Sequence, residues 1–375
     1  MSMMPLPKKQ MDWLGFFVIL LSLFGHSAVH QPAAAQELMP LATLPTTPDP
    51  ARVELGKLLF FDGRLSGDAT TSCATCHDPN HAFTDNLALS NGYPGTKYFR
   101  NTPTLINVAD QAYFYWDARL SGDDLPTLVR DHISEAHFMQ ADGRLVIERM
   151  RQIPAYESSF QEVFGGEPSY GNILDAVAAF VISLRSQNVP LDQYLGGDAD
   201  AISDSAVRGL ELFKGKANCI ACHHGPLLSD GKTHHTGVPP NADIFADPER
   251  HITFRRFMRT LGIGDCATLR QDIGYGCVTK EPIDYASFRT ASLREVSRTA
   301  PYMHNGSLKT LEGVVAFYNR GGDALDDPSV ELKPLKLTDA EQADLVEFLK
   351  QLAGDPIEMK TPELPNYELR QLGSF

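Results

Sequence analysis

The 375-residue sequence predicts a mostly α-helical fold with long loops, organised as two related domains. Apolar residues recur at helical spacing in several segments, whereas few runs alternate with the period of a β-strand. Two Cys-x-x-Cys-His pentapeptides begin at Cys73 and Cys219. Similar short motifs accompany both pentapeptides in the same order, which indicates an internal duplication.

Three segments carry the clearest helical pattern. Asp49 and Pro50 are suited to cap and begin a helix, because an Asp side chain can accept from the first free N–H groups and Pro has no N–H to leave unpaired. Residues 173–184 form a second apolar stretch with helical spacing. A third helix is expected over residues 337–352, where a Thr-Asp-Ala-Glu sequence provides a capping box.

The pentapeptides predict covalently bound haem. Their spacing places two thiols where they can add to the two vinyl groups of one haem, with the adjacent histidine as proximal ligand. Zinc is the alternative, but zinc modules separate their cysteine pairs by about 15–20 residues, whereas residues 77–218 lie between the pairs here. We therefore predict two c-type haems, held by Cys73, Cys76, His77, Cys219, Cys222 and His223.

The N-terminus predicts export. Lys8 and Lys9 precede an apolar run at residues 13–24 that is short for a membrane span, and three alanines end at Ala35. We expect a signal peptide over residues 1–35, with an uncleaved anchor as the alternative. Export to the periplasm agrees with c-type haem, and no membrane association is expected after cleavage.

The acidic balance limits the classes of partner. The formal net charge is −14, which argues against nucleic acid and anionic lipid as partners and is compatible with a basic redox partner.

Cys266 and Cys277 lie outside the two pentapeptides. We expect them to form a disulfide that closes a surface loop, since free thiols are unusual outside the cytoplasm. Two buried thiols are the alternative.

The repeated motifs set the predicted domain boundaries. The marker pairs are 56–60 with 209–213, 99–105 with 288–293, and Trp116 with His304. We predict a linker over residues 36–49, an N-terminal haem domain over 50–195, and a C-terminal haem domain over 196–375. The second domain contains an insertion at about residues 232–285.

Between about residues 50 and 352 the sequence resembles the bacterial di-haem cytochrome c peroxidase family, and within it the MauG-like branch. The resemblance rests on both pentapeptides and on residues 100–104, 116–117, 293–294 and 299–306. Tyr318 stands where ordinary members carry a methionine that ligates the second haem, and the MauG-like branch has tyrosine there. A hard, anionic phenolate stabilises oxidised iron and lowers the potential, unlike a soft thioether. The alternative is that Tyr318 is a packed structural tyrosine. Met303 is the next candidate ligand of the second haem.

The resemblance implies that the His77 haem binds peroxide at an open distal position, where a side chain must move a proton between the two oxygens. The duplication pairs Leu125 with Leu311, and His132 and Tyr318 each lie seven residues further along the chain. We therefore expect His132 to occupy the position over the first haem that Tyr318 occupies over the second. His132 is either the proton shuttle or a sixth ligand. Either Glu135 or His137 is expected to take the role of the family's distal glutamate, although the usual surrounding motif is absent.

Two further roles follow from the resemblance. Trp116 matches the tryptophan that lies between the haems and conducts electrons, with an ordinary core aromatic as the alternative. The family also holds a calcium ion between its haems, and the matching ligands are the Asn101 side chain and the carbonyl oxygens of Thr299 and Pro301. Oxygen ligands suit this hard cation.

Three functions compete at this point. In the MauG-like function, hydrogen peroxide forms high-valent iron, and a Trp or Tyr of a partner protein is oxidised by long-range electron transfer. The alternatives are a conventional di-haem peroxidase fed by a small cytochrome, and a non-enzymatic electron carrier. Ala217 replaces the surface tryptophan that MauG uses towards its amine dehydrogenase. The branch includes a relative that oxidises tryptophan in a copper-related partner during methanobactin biosynthesis, and we expect that substrate class.

Overall fold

The computed structural model describes residues 36–44, 46–324, 327 and 329–367. The expected signal peptide lies outside these residues. Within them, no helix is both long enough and apolar enough to cross a lipid bilayer.

Short and medium helices make up most of the regular secondary structure of the described chain, and long loops connect them, so the predicted mostly helical fold is confirmed. The α-helices are α1 (Pro50–Phe61), α2 (Cys73–Cys76), α3 (Leu125–Ser134), α4 (Gly143–Arg151), α5 (Pro154–Phe164), α6 (Tyr170–Ser183), α7 (Pro190–Leu195), α8 (Asp204–Lys214), α9 (Asp243–Ala246), α10 (Pro248–Thr260), α11 (Gly276–Thr279), α12 (Leu311–Asn319) and α13 (Asp339–Lys350).

Two small antiparallel sheets and several short 3₁₀ helices accompany the α-helices in these residues. Strand β1 (Tyr113–Phe114) pairs with β2 (Leu120–Ser121), and β3 (Thr233–His234) pairs with β4 (Phe288–Arg289). The second pairing joins the start of the predicted insertion to the segment that follows it.

The helix ends follow the sequence signals. The Asp49 side chain accepts from the Ala51 N–H at 2.9 Å at the start of α1. Thr338 and Glu341 form the predicted capping box of α13. Helix α6 begins at Tyr170, earlier than the apolar pattern alone indicated, because Ser169 caps it by accepting from the Asn172 N–H.

The same three-helix arrangement occurs twice. Helix α1 packs against α6, and α3 also packs on α6; in the second half, α8 packs against α13, and α12 also packs on α13. Gly56 and Gly209 permit the close approach of α1 to α6 and of α8 to α13. A β-carbon on Gly56 would overlap the carbonyl oxygen of Ala176, and one on Gly209 would overlap that of Asp344. The glycine that opens each repeated marker is therefore required by helix packing.

Buried apolar residues form three clusters among the described residues. One draws on residues 55–184 and a second on residues 189–352. The third joins Tyr98 and Phe99 of the first half to residues of the insertion, including Phe254 and Phe257 on α10. The insertion therefore packs against the first half of the chain.

The expected disulfide is wrong for this structure. Cys266 and Cys277 are both free thiols, and both are buried in the third cluster. They pack there as small apolar side chains, which is how buried free cysteine usually behaves. The Cys277 thiol also donates to the carboxylate of Asp117 across 3.7 Å.

Candidate functional site

A largely apolar cavity lies in the first half of the chain. It encloses about 1220 Å³ between atoms, including solvent at its mouth. Cys73, Cys76 and His77 line it together with Trp116 and His132, and apolar side chains from α3 and α6 supply much of the remaining wall. Such a cavity suits a large apolar ligand that is anchored at a few polar points.

His77 and His132 face each other inside this cavity. Their ring centroids are 6.2 Å apart. The Nδ1–H of His77 donates to the carbonyl of Phe83 at 3.0 Å, and that of His132 donates to Leu128 at 2.8 Å. Both Nε2 atoms therefore keep a lone pair. Since an imidazole nitrogen binds a metal at about 2 Å, the spacing accommodates one metal ion between the two rings.

Burial keeps both imidazoles neutral. It lowers the pKa of His77, and it lowers that of His132 to about 4, with the nearby His77 contributing in the same direction. A neutral imidazole is the form that ligates a metal.

The ring of His132 lies nearly parallel to two neighbouring aromatic rings. Tyr115 stacks on it at 5.6 Å with an interplanar angle of 3°, and Phe138 stacks on it at 4.5 Å and 8°. The Tyr115 hydroxyl is 3.4 Å from His132 Nδ1, and the Arg119 guanidinium carbon is 3.3 Å from the centre of the Tyr115 ring. Tyr115 was missed from the sequence, although it directly precedes Trp116 in chain order.

Glu135 and His137 are placed differently. They pair with each other, with the carboxylate 2.9 Å from His137 Nε2. His137 also stacks on Tyr98 at 5.1 Å. Neither residue is among those that line the cavity, so of the three predicted distal side chains the structure brings only His132 to the cavity wall.

Trp116 lies on a connection between the two halves. Its indole N–H donates to the carbonyl of Asn101 at 2.8 Å, and the Asn101 backbone N–H donates to the carbonyl of His304 at 2.8 Å. The Asn101 side-chain amide donates to Leu87, which leaves its oxygen for another partner. The two residues that the duplication pairs, Trp116 and His304, are therefore joined through the backbone of one residue, Asn101.

The second pentapeptide has a similar local structure. The Nδ1–H of His223 donates to the carbonyl of Leu228 at 2.8 Å, as His77 does to Phe83. Tyr318 is on α12, seven residues after its first residue Leu311, and His132 has the same position on α3. Burial raises the pKa of the Tyr318 phenol, and proximity to Cys219 and Cys222 raises it further. Tyr318 therefore lies beside the second pentapeptide.

A buried arginine in the first cavity was also missed. Arg100 and Arg289 occupy matching places in the repeat. Arg100 is fully paired, with Asp272 at 2.6 Å and Asp117 at 2.6 Å. Arg289 lines the cavity, is 7% exposed, and donates its Nε–H to the carbonyl of Tyr115. Burial lowers its pKa to about 10, and Asp117 compensates only in part. Its remaining N–H groups can bind a carboxylate of a ligand.

His234 lies close to a cysteine of the second pentapeptide. Donor atoms of Cys222, Asp230 and His234 lie within 4.8 Å of one another. The two ring nitrogens of His234 are 2.8 Å from Asp230 and 2.7 Å from Glu331. Since carboxylates engage both nitrogens, neither has a lone pair to offer a metal ion.

Comparison with known proteins identifies similar chains. A family model described as di-haem cytochrome c peroxidase matches residues 50–200. The chain is 46% identical to the cytochrome-c peroxidase IdrP2 of Pseudomonas sp. (strain SCT) over 345 residues. This alignment covers 92% of this chain and 93% of that protein. It is 35% identical over 327 residues to the methylamine utilization protein MauG of Methylorubrum extorquens, and this alignment covers 86% of this chain and 83% of that protein.

A solved structure shares the fold. The crystal structure of a MauG-like protein associated with microbial copper homeostasis matches with a TM-score of 0.70 and 28% sequence identity. The match covers 88% of this chain and 96% of that one.

Proposed function

Because this chain belongs to the di-haem cytochrome c peroxidase family and is a peroxidase-type oxidoreductase, we propose that it uses hydrogen peroxide to oxidise a Trp or Tyr residue of a partner protein by long-range electron transfer. The position of Tyr318 beside Cys219 and Cys222 carries this proposal. A phenolate ligand favours an oxidised metal centre, which suits storage of an oxidising equivalent better than relay of electrons.

The residues present fit two covalently attached haems. The first group would be held by Cys73, Cys76 and His77 in the apolar cavity, and the second by Cys219, Cys222, His223 and Tyr318. The haems would supply peroxide reduction at iron and the storage of oxidising equivalents. The cationic N–H groups of Arg289 would bind a haem carboxylate in the first cavity.

The protein side chains hold the reacting groups in position. The hydrogen bond from His132 Nδ1 to Leu128 orients the imidazole and leaves the lone pair on Nε2, and the nearly parallel rings of Tyr115 and Phe138 restrict its tilting. Trp116 is held by Asn101 on the path between the halves, where its easily oxidised indole would pass an electron.

The proposal also includes a calcium ion, the domain boundaries, the compartment and the class of protein substrate. Calcium would bind the side-chain oxygen of Asn101 and the carbonyls of Thr299 and Pro301, oxygen donors of the kind this cation prefers. The domain boundaries stay at residues 50–195 and 196–375, and the site of action is the periplasm. A copper-related partner stays the preferred substrate class, which the similarity to a MauG-like protein associated with copper homeostasis supports.

The second candidate is a conventional peroxidase that takes electrons from a small cytochrome. Two observations favour it: the 46% identity to a protein named cytochrome-c peroxidase, and the spacing of His77 and His132, which suits one metal ion with both imidazoles bound. In that case peroxide has no position at the first iron until His132 moves away.

Peroxide titration of the purified di-ferric protein separates the two candidates. The MauG-like function predicts that one equivalent of peroxide changes the near-infrared and Mössbauer spectra of both iron sites without prior reduction. A reaction that begins only after one-electron reduction would overturn the MauG-like proposal and support the conventional one.

A further inference from the structure

The two proximal histidines donate to loops of matching structure. We call residues 78–83 the first loop and residues 224–228 the second loop; each contains the carbonyl that accepts the Nδ1–H of its histidine. The carbonyl one residue before that acceptor accepts from a hydroxyl, of Thr104 at 2.6 Å in the first loop and of Ser292 at 2.7 Å in the second. These two residues occupy matching places in the repeat, since each directly precedes the leucine that ends its marker.

The second loop has a further contact from Arg294, which is 2% exposed. Its Nε–H donates to the carbonyl of Pro226 at 2.8 Å. Its Nη1 donates to both carboxylate oxygens of Asp192 on α7, at 2.7 and 2.8 Å. At the matching place in the first half stands Ile106, whose side chain has no hydrogen-bond donor. The arginine therefore distinguishes the second loop from the first.

Residues 36–42, which we call the strap, contact both the second loop and Arg294. The Gly225 N–H donates to the carbonyl of Glu37 at 2.7 Å. The remaining nitrogen of Arg294, Nη2, donates to the carbonyl of Met39 at 3.0 Å. All three guanidinium nitrogens thus have acceptors, one each in the second loop, α7 and the strap. Because the guanidinium is planar and rigid, these bonds fix the three segments relative to one another.

The position of the second loop matters for the iron that His223 would bind. A histidine ligand that donates its other ring N–H to a carbonyl is held in one orientation and becomes a more basic ligand. A more basic ligand favours oxidised iron and lowers the haem potential. The His223 bond to the Leu228 carbonyl, 2.8 Å long, keeps its strength only while the second loop stays in place.

We propose that Arg294 and the strap are positioning elements for His223, which fix its hydrogen bond to Leu228 and thereby keep the second haem at a low potential. The inference rests on the proposed function and deepens it, because a low potential suits storage of an oxidising equivalent at that centre. The arrangement acts on the second haem and not on the first, since the first half has Ile106 in place of the arginine.

Two variants loosen the second loop while every proposed haem ligand stays in place. Arg294→Lys keeps a positive charge beside Asp192 but lacks the planar fork that reaches the loop and the strap together. The second variant lacks the strap, residues 36–42, and keeps Arg294. Each variant is studied as the haem-loaded protein, by spectroelectrochemical titration and by hydrogen–deuterium exchange of backbone amides.

Arg149→Lys is the matched control. Arg149 also donates to several backbone carbonyls, but these belong to residues 64, 66 and 67, which precede the first pentapeptide. The same chemical change is therefore made at an arginine that holds neither loop. The control should leave both haem potentials and the exchange of the second loop unchanged.

Both loop variants should exchange the amides of residues 223–228 about fivefold faster or more, because each loses at least one hydrogen bond that holds the loop. Both should also raise the potential of the second haem and leave that of the first unchanged. If Arg294→Lys fails to retain its second haem, the strap deletion decides the question.

Faster exchange with an unchanged or lowered potential of the second haem would overturn the proposal; a lowered potential would show that water reaching the haem outweighs the histidine bond. Unchanged exchange in both variants would also overturn it, because Arg294 and the strap would then not hold the loop. Neither measurement needs peroxide. If the di-ferric protein fails to respond to peroxide while the shift in potential persists, the proposed function is wrong and the positioning role stands.

Discussion

The rings of His77 and His132 lie with centroids 6.2 Å apart and planes inclined by 56°, and each ring is oriented by a hydrogen bond from Nδ1 to a backbone carbonyl. The sequence allowed His132 to be a proton shuttle or a ligand. This geometry suits the ligand of the conventional candidate, whereas the shuttle of the MauG-like proposal requires room for peroxide between its nitrogen and the iron.

Replacing His132 by alanine tests that assignment. If His132 is the sixth ligand, the variant should convert the first haem from low spin to high spin in the resting protein, as read by electron paramagnetic resonance and resonance Raman spectra. His137→Ala is the control and should leave the spin state unchanged. If His132 is instead a shuttle, the spin state should persist while the reaction with peroxide slows about 10²–10⁴-fold.

Tyr318→Met should raise the reduction potential of the second haem. The substitution replaces an anionic oxygen by a neutral sulfur, and axial ligands move haem potentials over a range of about 0.8 V. Tyr318→Phe, which offers no ligand, is the matched control. Spectroelectrochemical titration measures the potential. An unchanged potential in both variants would show that another residue, with Met303 first in line, binds this iron.

Trp116→Phe should separate the two haem sites. Phenylalanine keeps the bulk of an aromatic ring but is hard to oxidise, and it loses the hydrogen bond to the Asn101 carbonyl. After one equivalent of peroxide, stopped-flow spectra should show a response of the first haem and little change of the second. Tyr113→Phe, at an exposed position on the neighbouring strand, should behave as the unmodified protein. A normal response of both haems in the Trp116 variant would exclude the bridge.

Asp272→Asn should destabilise the fold. The carboxylate accepts two hydrogen bonds from the buried guanidinium of Arg100, and removal of one partner from a buried ion pair costs about 3–5 kcal/mol. Asp323→Asn breaks an exposed pair with Arg320 and should cost about 1 kcal/mol at most. Urea unfolding of both variants measures the difference. Similar small losses would show that Asp272 contributes little.

The contribution of Asp117 to the free energy of unfolding should disappear in acid. Burial alone would raise its pKa, but Arg100 and Arg119 outweigh burial and hold it at about 2. Since this is below the ordinary value of about 3.9, stabilisation by the ionised group is complete above that pH and declines as the pH falls towards 2. The difference in unfolding free energy between the unmodified protein and Asp117→Asn should stay constant from pH 7 to about 4 and then narrow. A constant difference down to pH 2 would contradict the assignment.

Local signals in the sequence were sufficient for several elements. The cap at Asp49 and the capping box before α13 involve residues close in the chain, so each is visible without tertiary information. The duplication also carried structural information, because it placed His132 and Tyr318 at the same position on α3 and α12. The ligand roles of both residues stay predictions.

Contacts between distant segments could not be read in this way. Arg100 and Arg289 look equivalent in the sequence, and only the packing of the insertion gives Arg100 its partner Asp272. The disulfide expectation failed for the same reason, since burial of Cys266 and Cys277 depends on how the insertion folds against the first half. Stacking of Tyr115 on His132 likewise joins two segments whose approach no local pattern reveals.

The close helix crossings at Gly56 and Gly209 have a consequence for how freely the gene can vary. Every missense change in either codon adds a β-carbon, and at both places that carbon would collide with a main-chain oxygen on the facing helix. Gly166, by contrast, has open space in that direction. A saturation library selected for function would therefore keep glycine at the first two codons and accept diversity at the third.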